Sequence, residues 1–450
     1  MFSIFYPNKD TIITNVSING SSPKTGSNQG SSEILDLYVL PEASSSATQG
    51  ISRVLLQFDL EQLSQSLVDG DVPSSGVQYI LSLIDAPHRE TRPTSFDIVV
   101  APMSRSWDEG RGLSKFDEDL QDAGFANWDN ATSLVSWSVT GSDYISQSVS
   151  ASQHFDGGEE DLEVDVSDIV GQWLTGGLSN NGVIIKYLDA HETGSLELFT
   201  KQFFSRHTLR PDRRPKLIAR WTDFLQDDRD NMKYGVSGCL AYYRIINGFG
   251  QNAAGSVYVD VIDSGSNVVQ TLTASLNKAG LYEASGVFVT FTASTEVYRD
   301  VWFTDNEQLF TGTFCPLFAT GSDEILMDDM VLDLPNLKRV YPKNDRTFIR
   351  VFARPKDYRP ALRRSGSVHA EPTFLKEAFY EIRHESTNKV LVPFSTGAVK
   401  FSKLSYDRTG NYFELDTSNL IEENLYRIRI LAKFNRQEAI FDKDWVLKIE

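Results

Sequence analysis

The sequence predicts an all-β chain built of serial β-sandwich or jelly-roll domains. Three observations lead there. Apolar and polar residues alternate over short stretches, as in Tyr79-Ile80-Leu81-Ser82-Leu83-Ile84-Asp85, the pattern of a strand with one face buried. These stretches are separated by Gly, Asn, Asp, Ser or Pro, the residues that turns require. Long amphipathic helices do not alternate with the strands, which argues against doubly wound and barrel α/β folds.

In chain order, residues 52–60 read as a central strand, followed by a short helix over 59–67 with Leu60, Leu63 and Leu67 at helical spacing. Strands follow at 79–85 and 96–102. A second short helix over 166–174 places Ile169 and Trp173 on one face, with Ser167 or Asp168 as its cap and Gly176-Gly177 as its exit. Further strands are expected at 182–188, 196–199, 217–221, 256–263, 287–293, 348–353, 379–384, 412–415 and 425–434. The polar tracts 20–32 and 42–50 read as loops. Composition shifts near 222 and 330 divide the chain into domains 1–222, 223–330 and 331–450.

The 450 residues carry a net charge of −18, unevenly spread. The three sections hold −14, −10 and +6, so acidic domains precede a basic one. An acidic surface repels a phosphate backbone, so the first two sections are not expected to bind nucleic acid. The polarity suits docking between protein surfaces. No stretch reaches the roughly 20 apolar residues that span a bilayer, so no membrane segment is expected. The residues from Met1 to Asp10 lack the basic region and apolar run of a secretory signal. Cys239 and Cys315 can pair only if their strands are adjacent; two buried free thiols are expected.

Candidate chemistry is sparse. Asp108 and Glu109 beside Trp107 resemble a glycosidase pair in composition. Neighbouring strand residues face opposite ways, however, so catalytic residues are expected to be none. Asp156, Glu159 and Asp161 surround Gly157-Gly158 and form a weak calcium candidate without EF-hand spacing. No other cofactor is expected, because Walker and dinucleotide fingerprints are lacking. Asp227-Asp228-Arg229-Asp230 and Asp328-Asp329 read as solvated linker charges. The six histidines form no close pair that would mark a metal centre. Trp107, Trp128, Trp137 and Tyr144 cluster in the first section, where they either stack on sugar rings or fill a core and an interface. Packing is the favoured reading. Arg359, Arg363 and Arg364 form a basic loop, either solvated or a docking surface for an acidic neighbour.

The order of several motifs carries a family resemblance. Ser31-Ser32 precede Leu35-Asp36-Leu37-Tyr38-Val39, then Arg53-Val54-Leu55-Leu56-Gln57-Phe58-Asp59-Leu60 and Trp107-Asp108-Glu109-Gly110. Leu162-Glu163-Val164-Asp165-Val166, Val170-Gly171-Gln172-Trp173-Leu174-Thr175-Gly176-Gly177, Asn180-Asn181-Gly182-Val183-Ile184-Ile185-Lys186 and Arg213-Arg214-Pro215-Lys216-Leu217 complete the series. In this order the first section resembles a DNRLRE-type domain, a carbohydrate-binding-module-like β-sandwich. Val297-Tyr298-Arg299-Asp300-Val301-Trp302-Phe303 and Phe310-Thr311-Gly312-Thr313-Phe314 resemble the immunoglobulin-like modules of tailed-bacteriophage structural proteins. The resemblance implies a non-enzymatic virion protein of the tail, neck or head-to-tail junction. Such a protein is assembled in the host cytoplasm, docks to other virion structural proteins, and forms a homo-oligomer or symmetric array. The alternative it implies is a carbohydrate-binding adhesin of a fiber or spike, with glycan as its partner.

Overall fold

The computed structural model describes residues 1–17, 23–41, 49–89, 91–114, 125–146, 149–193, 198–233, 235–247, 249–287, 297–316, 330–356, 373–434 and 437–450. Nearly half of the chain is strand and less than a tenth is helix. It divides into two compact units, Phe2–Arg220 and Trp221–Glu450, the second also including Met1.

The first unit holds β1 (Phe2–Phe5), β2 (Pro7–Thr14), β3 (Ile34–Pro41), β4 (Gln49–Phe58), α1 (Leu60–Asp69), β5 (Val77–Leu83), β6 (Phe96–Pro102), β7 (Ala151–Phe155), β8 (Leu162–Asp165), α2 (Ser167–Leu174), β9 (Val183–Tyr187), β10 (Leu198–Phe204) and β11 (Lys216–Trp221). One sheet runs β1-β11-β5-β8; the other runs β10-β3-β4-β9-β6-β7, with β2 also paired to β4. The β9 strand is buried along its whole length, as a central strand covered on both faces should be. Asp59 caps α1 through the Glu61 amide, and Gly70 ends it in the left-handed region. The cap of α2 differs from expectation. Val166 occupies the N-cap, and Asp165 Oδ1 instead accepts from both the amide and the hydroxyl of Ser167. Ile169 and Trp173 are both buried.

The second unit contains two sandwiches. In the first, β12 (Ser237–Tyr243) pairs with β18 (Leu281–Val287), which pairs with β17 (Ser275–Lys278). The facing sheet is β16 (Val268–Thr273), β15 (Tyr258–Ile262), β19 (Tyr298–Phe303) and β20 (Gln308–Phe314). Two short strands, β13 (Ile245–Ile246) and β14 (Phe249–Gly250), form a small hairpin. Leu240, Tyr282 and Ala284 from one sheet meet Val259, Val261, Tyr298 and Trp302 from the other in one core. In the second sandwich the sheets are β21 (Met330–Asp333), β23 (Arg346–Pro355), β27 (Gly410–Asp416) and β26 (Ser405–Asp407), against β22 (Val340–Tyr341), β29 (Gln437–Ile449), β28 (Leu425–Phe434), β24 (Glu377–His384) and β25 (Val390–Val392). Tyr380 of β24 stacks on Phe413 of β27 with ring centroids 4.4 Å apart, joining the two sheets.

The thiols are both free, but only Cys239 is partly buried; Cys315 is exposed. Burial pushes the Cys239 thiol up to about 12. Most of the stretch 287–293 and all of Asp328-Asp329 lie outside the described residues.

Candidate functional site

The aromatic candidates of the first unit converge, but inward. Met103 and the segment around Trp107, Trp128 and Trp137 lie over Ile13, Leu55, Ala101 and Ile184, on one face of the β2-β4-β9-β6 sheet. All three indoles are buried. The Trp107 Nε1 donates to the Asn181 carbonyl at 2.9 Å and the Trp137 Nε1 to the Asn127 carbonyl at 2.8 Å. A ring that stacks on a sugar needs an open face, so these three buried rings fit the favoured reading, an aromatic lid that fills a core, and not the sugar-stacking alternative. Tyr144 is half-buried at its margin, with Lys186 Nζ 5.3 Å from its ring centroid. The Arg53 guanidinium stands 5.0 Å from the Trp128 ring and forms a bidentate pair with Glu192.

The calcium candidates do not form a set. The Asp156 and Glu159 side chains are 95% and 78% exposed. Asp161 Oδ1 accepts the Asp85 amide at 2.7 Å. Glu160, not part of that set, shapes the turn by accepting the Asp156 and Gly157 amides. Those amide bonds hold its carboxyl below the usual range. Arg359, Arg363 and Arg364 lie outside the described residues.

Two polar clusters escaped the sequence reading. The first joins Asp10 of β2, Glu109 after the lid's Trp107, and the Arg206-His207 pair after β10. Glu109 accepts Arg206 Nε and Nη2, each at 2.6 Å, and also the Asp10 amide at 2.8 Å. Asp10 Oδ2 accepts the Arg206 amide at 2.6 Å. His207 Nε2 stands 3.9 Å from Asp10 Oδ1 and 3.7 Å from Glu109 Oε1, buried and without a hydrogen bond. Burial lifts the Asp10 carboxyl to about 7, assisted by the Glu109 charge and opposed by the Arg206 amide and guanidinium. Asn28 fixes the Glu109 backbone by donating to its carbonyl at 2.7 Å and to the Ala126 carbonyl at 2.7 Å. Gly110 is required beside it. Its φ is +82°, and a Cβ there would lie 2.1 Å from Asn28 Oδ1.

The second cluster lies in the second unit, at the segment read as solvated linker charges. That reading is corrected: Asp227, Asp228 and Arg229 are buried. Arg229 donates from Nε and Nη2 to Asp300 Oδ2 at 3.1 and 2.6 Å, and from Nη1 to Asp227. The Trp302 indole donates to the same Asp300 oxygen at 2.8 Å. Asp300 occupies an inward position of β19 between Tyr298 and Trp302, where an apolar residue would ordinarily stand. Burial lifts Asp227 to about 6 against the pull of Arg229. Asp228 accepts the Tyr406 hydroxyl at 2.8 Å and the Cys239 amide at 2.9 Å, and so touches both sandwiches. Tyr406 N donates to Leu225 O at 2.9 Å and Asp227 N to Tyr406 O at 3.0 Å, an isolated parallel bridge between Gln226 and Tyr406 at β26. A crevice nearby is lined by Asp223, Tyr243, Lys278, Lys403, Tyr412 and Glu414. Its interior has room for a few water molecules.

Fold and clusters together define a class: an all-β protein of serial β-sandwich modules with ionic and aromatic cores. No family model and no curated protein matches the chain. Among solved structures, the tandem Ig repeats of Dlar are similar at 10% identity and a TM-score of 0.17, over 49% of this chain and 92% of that one. The N-terminal Ig1-2 module of the Drosophila receptor protein tyrosine phosphatase DLAR is similar at 9% identity and 0.17, over 51% and 96%. Trypsin-activated alpha-2-macroglobulin from Escherichia coli is similar at 11% identity and 0.18, over 92% and 30%. Likenesses this slight carry no argument about activity.

Proposed function

We propose that this chain is a non-enzymatic structural protein of a tailed-bacteriophage particle, of the tail, neck or head-to-tail junction. In this reading its sandwiches act as stiff spacers that dock to neighbouring virion proteins. One observation carries most of the weight. The segment 223–230 lies against both sandwiches of the second unit, bonded to Tyr406 and to the Cys239 amide and holding buried ion pairs, and does not run as a free linker. Serial modules on free linkers swing by default; a sealed joint suits a part that must hold a fixed geometry in a symmetric array. The section charges of −10 and +6 would favour one docking orientation over its reverse.

Mass spectrometry of purified particles, followed by location of the chain in a particle map, tests the proposal. A fixed copy number at an internal joint supports it. Absence from particles, or a glycan-array signal that maps to the first unit, overturns it in favour of another role.

A further inference from the structure

The convergence of Asp10, Glu109 and His207 has a chemical use that ion pairing leaves open. We propose that Asp10 Oδ1, Glu109 Oε1 and His207 Nε2 form a binding site for one divalent transition-metal ion of the zinc class. The three ligand atoms lie within 4.8 Å of one another. The two measured spacings to His207, 3.7 and 3.9 Å, are a few tenths wider than the ~3.4 Å edge of a tetrahedron with ~2.1 Å bonds. Closing that gap takes a small rotation of an imidazole that no hydrogen bond through Nε2 restrains.

The competing occupant of the cluster is Arg206, which pairs with Glu109 in a two-pronged contact. It satisfies Glu109 and leaves His207 wanting. His207 Nε2 is buried and makes no hydrogen bond, an unfavourable state for a polar atom out of water. Asp10 Oδ1 stands 3.9 Å from the nearest guanidinium nitrogen. One cation between His207 and the two carboxylates meets that deficit. Arg206 Nε and the Asp10 amide both donate to the ligating Glu109 Oε1, so they fix its orientation and the ion shares that oxygen with them. Arg206 also cancels one of the two negative charges, which makes the site weaker than a closed four-ligand one. The fourth position falls to water.

The ligand set selects the metal. An imidazole nitrogen with only two carboxylates suits zinc, cobalt or nickel; calcium and magnesium prefer larger sets of oxygens. The His207 side chain is 30% exposed, which gives the ion a way in. Asp10, Glu109 and His207 come from segments roughly a hundred residues apart, so the ion would cross-tie β2, the lid and the segment after β10. This site does not depend on the virion reading.

The full chain, stripped with chelator, is to be titrated with Zn²⁺ by calorimetry and with Co²⁺ by visible absorption. One zinc per chain, ligand-field bands of nitrogen- and oxygen-ligated cobalt, and a higher melting temperature with zinc are expected. His207→Ala should weaken binding roughly tenfold or more and abolish the cobalt bands. The melting temperature of its metal-free form should equal or exceed that of the wild type, because Nε2 makes no hydrogen bond to lose and its unbonded buried nitrogen goes with it. His207→Gln gives the same reading should the alanine variant fail to fold. Lack of stoichiometric zinc binding, or binding and cobalt bands that survive both substitutions, overturns the proposal and leaves an adventitious ion only.

Discussion

The aromatic lid of the first unit and the ionic joint of the second both seal a sandwich, and they do so by opposite means. The lid buries three indoles over a sheet face and keeps the cations Arg53 and Lys186 at its margin, against aromatic rings. The joint places a guanidinium and two carboxylates inside, with Trp302 donating to one of them. Burial of area is graded: stability falls with the volume removed. A buried ion network is closer to all-or-none, because the partner left behind keeps its full desolvation cost.

The sharpest break of that contrast is Arg229→Ala, which strands Asp227 and Asp300 without a cation. It should cost the second unit about 3–5 kcal/mol in denaturant unfolding, with the first unit's transition unmoved. A loss under about 1 kcal/mol would show that the joint is held by area after all. Trp107→Ala comes next, at about 3 kcal/mol in the first unit, near the low end for a buried aromatic because a lid segment can relax into the cavity. Trp107→Phe should restore most of it, a partial rescue that the ionic joint does not allow.

The two regions also part on pH. A carboxyl that titrates at 3.8 in the unfolded chain is lifted to about 6 at Asp227 and about 7 at Asp10. The folded state therefore holds these protons more tightly than the unfolded one. Each group is neutral in its effect below about pH 4 and lowers stability as pH rises to its folded value, by at most about 1.4 kcal/mol per pH unit. Between about pH 6 and 7 Asp227 is past its folded value while Asp10 is still titrating. The first unit should lose stability across that interval, measured by thermal melts, and Asp10→Asn should flatten the loss. The smallest effect belongs to Glu159, whose exposed pair with Arg92 should be worth no more than about 0.5 kcal/mol, so that Glu159→Ala leaves the melt unchanged.

Local signals were readable in the sequence because they depend on nearest neighbours. Phe96–Pro102 and Leu425–Phe434 are strands with the expected bounds, and the helix after Phe58 starts where Asp59 can cap it. What period and turn chemistry cannot carry is the meeting of distant segments. Asp227-Asp228-Arg229-Asp230 has the composition of a wet linker, and Asp300, seventy-one residues from Arg229, together with the still more distant Tyr406, turns it into a core. Glu109 was singled out as half of an adjacent pair with Asp108, whereas its actual partners are Asp10 and Arg206. One clue was available: an aspartate inside the apolar rhythm Tyr298-Arg299-Asp300-Val301-Trp302 stands on the buried face and demands a cation.

That aspartate also ties two positions together across the sheet. Asp300 faces Gly312 in the β19–β20 register, and a Cβ at 312 would lie 2.4 Å from the Asp300 carboxylate. The carboxylate thus fills the room that a neighbouring side chain would take. In a lineage of such proteins the two sites should drift as one: a larger residue becomes acceptable at 312 only after the acid at 300, and with it Arg229, has been given up.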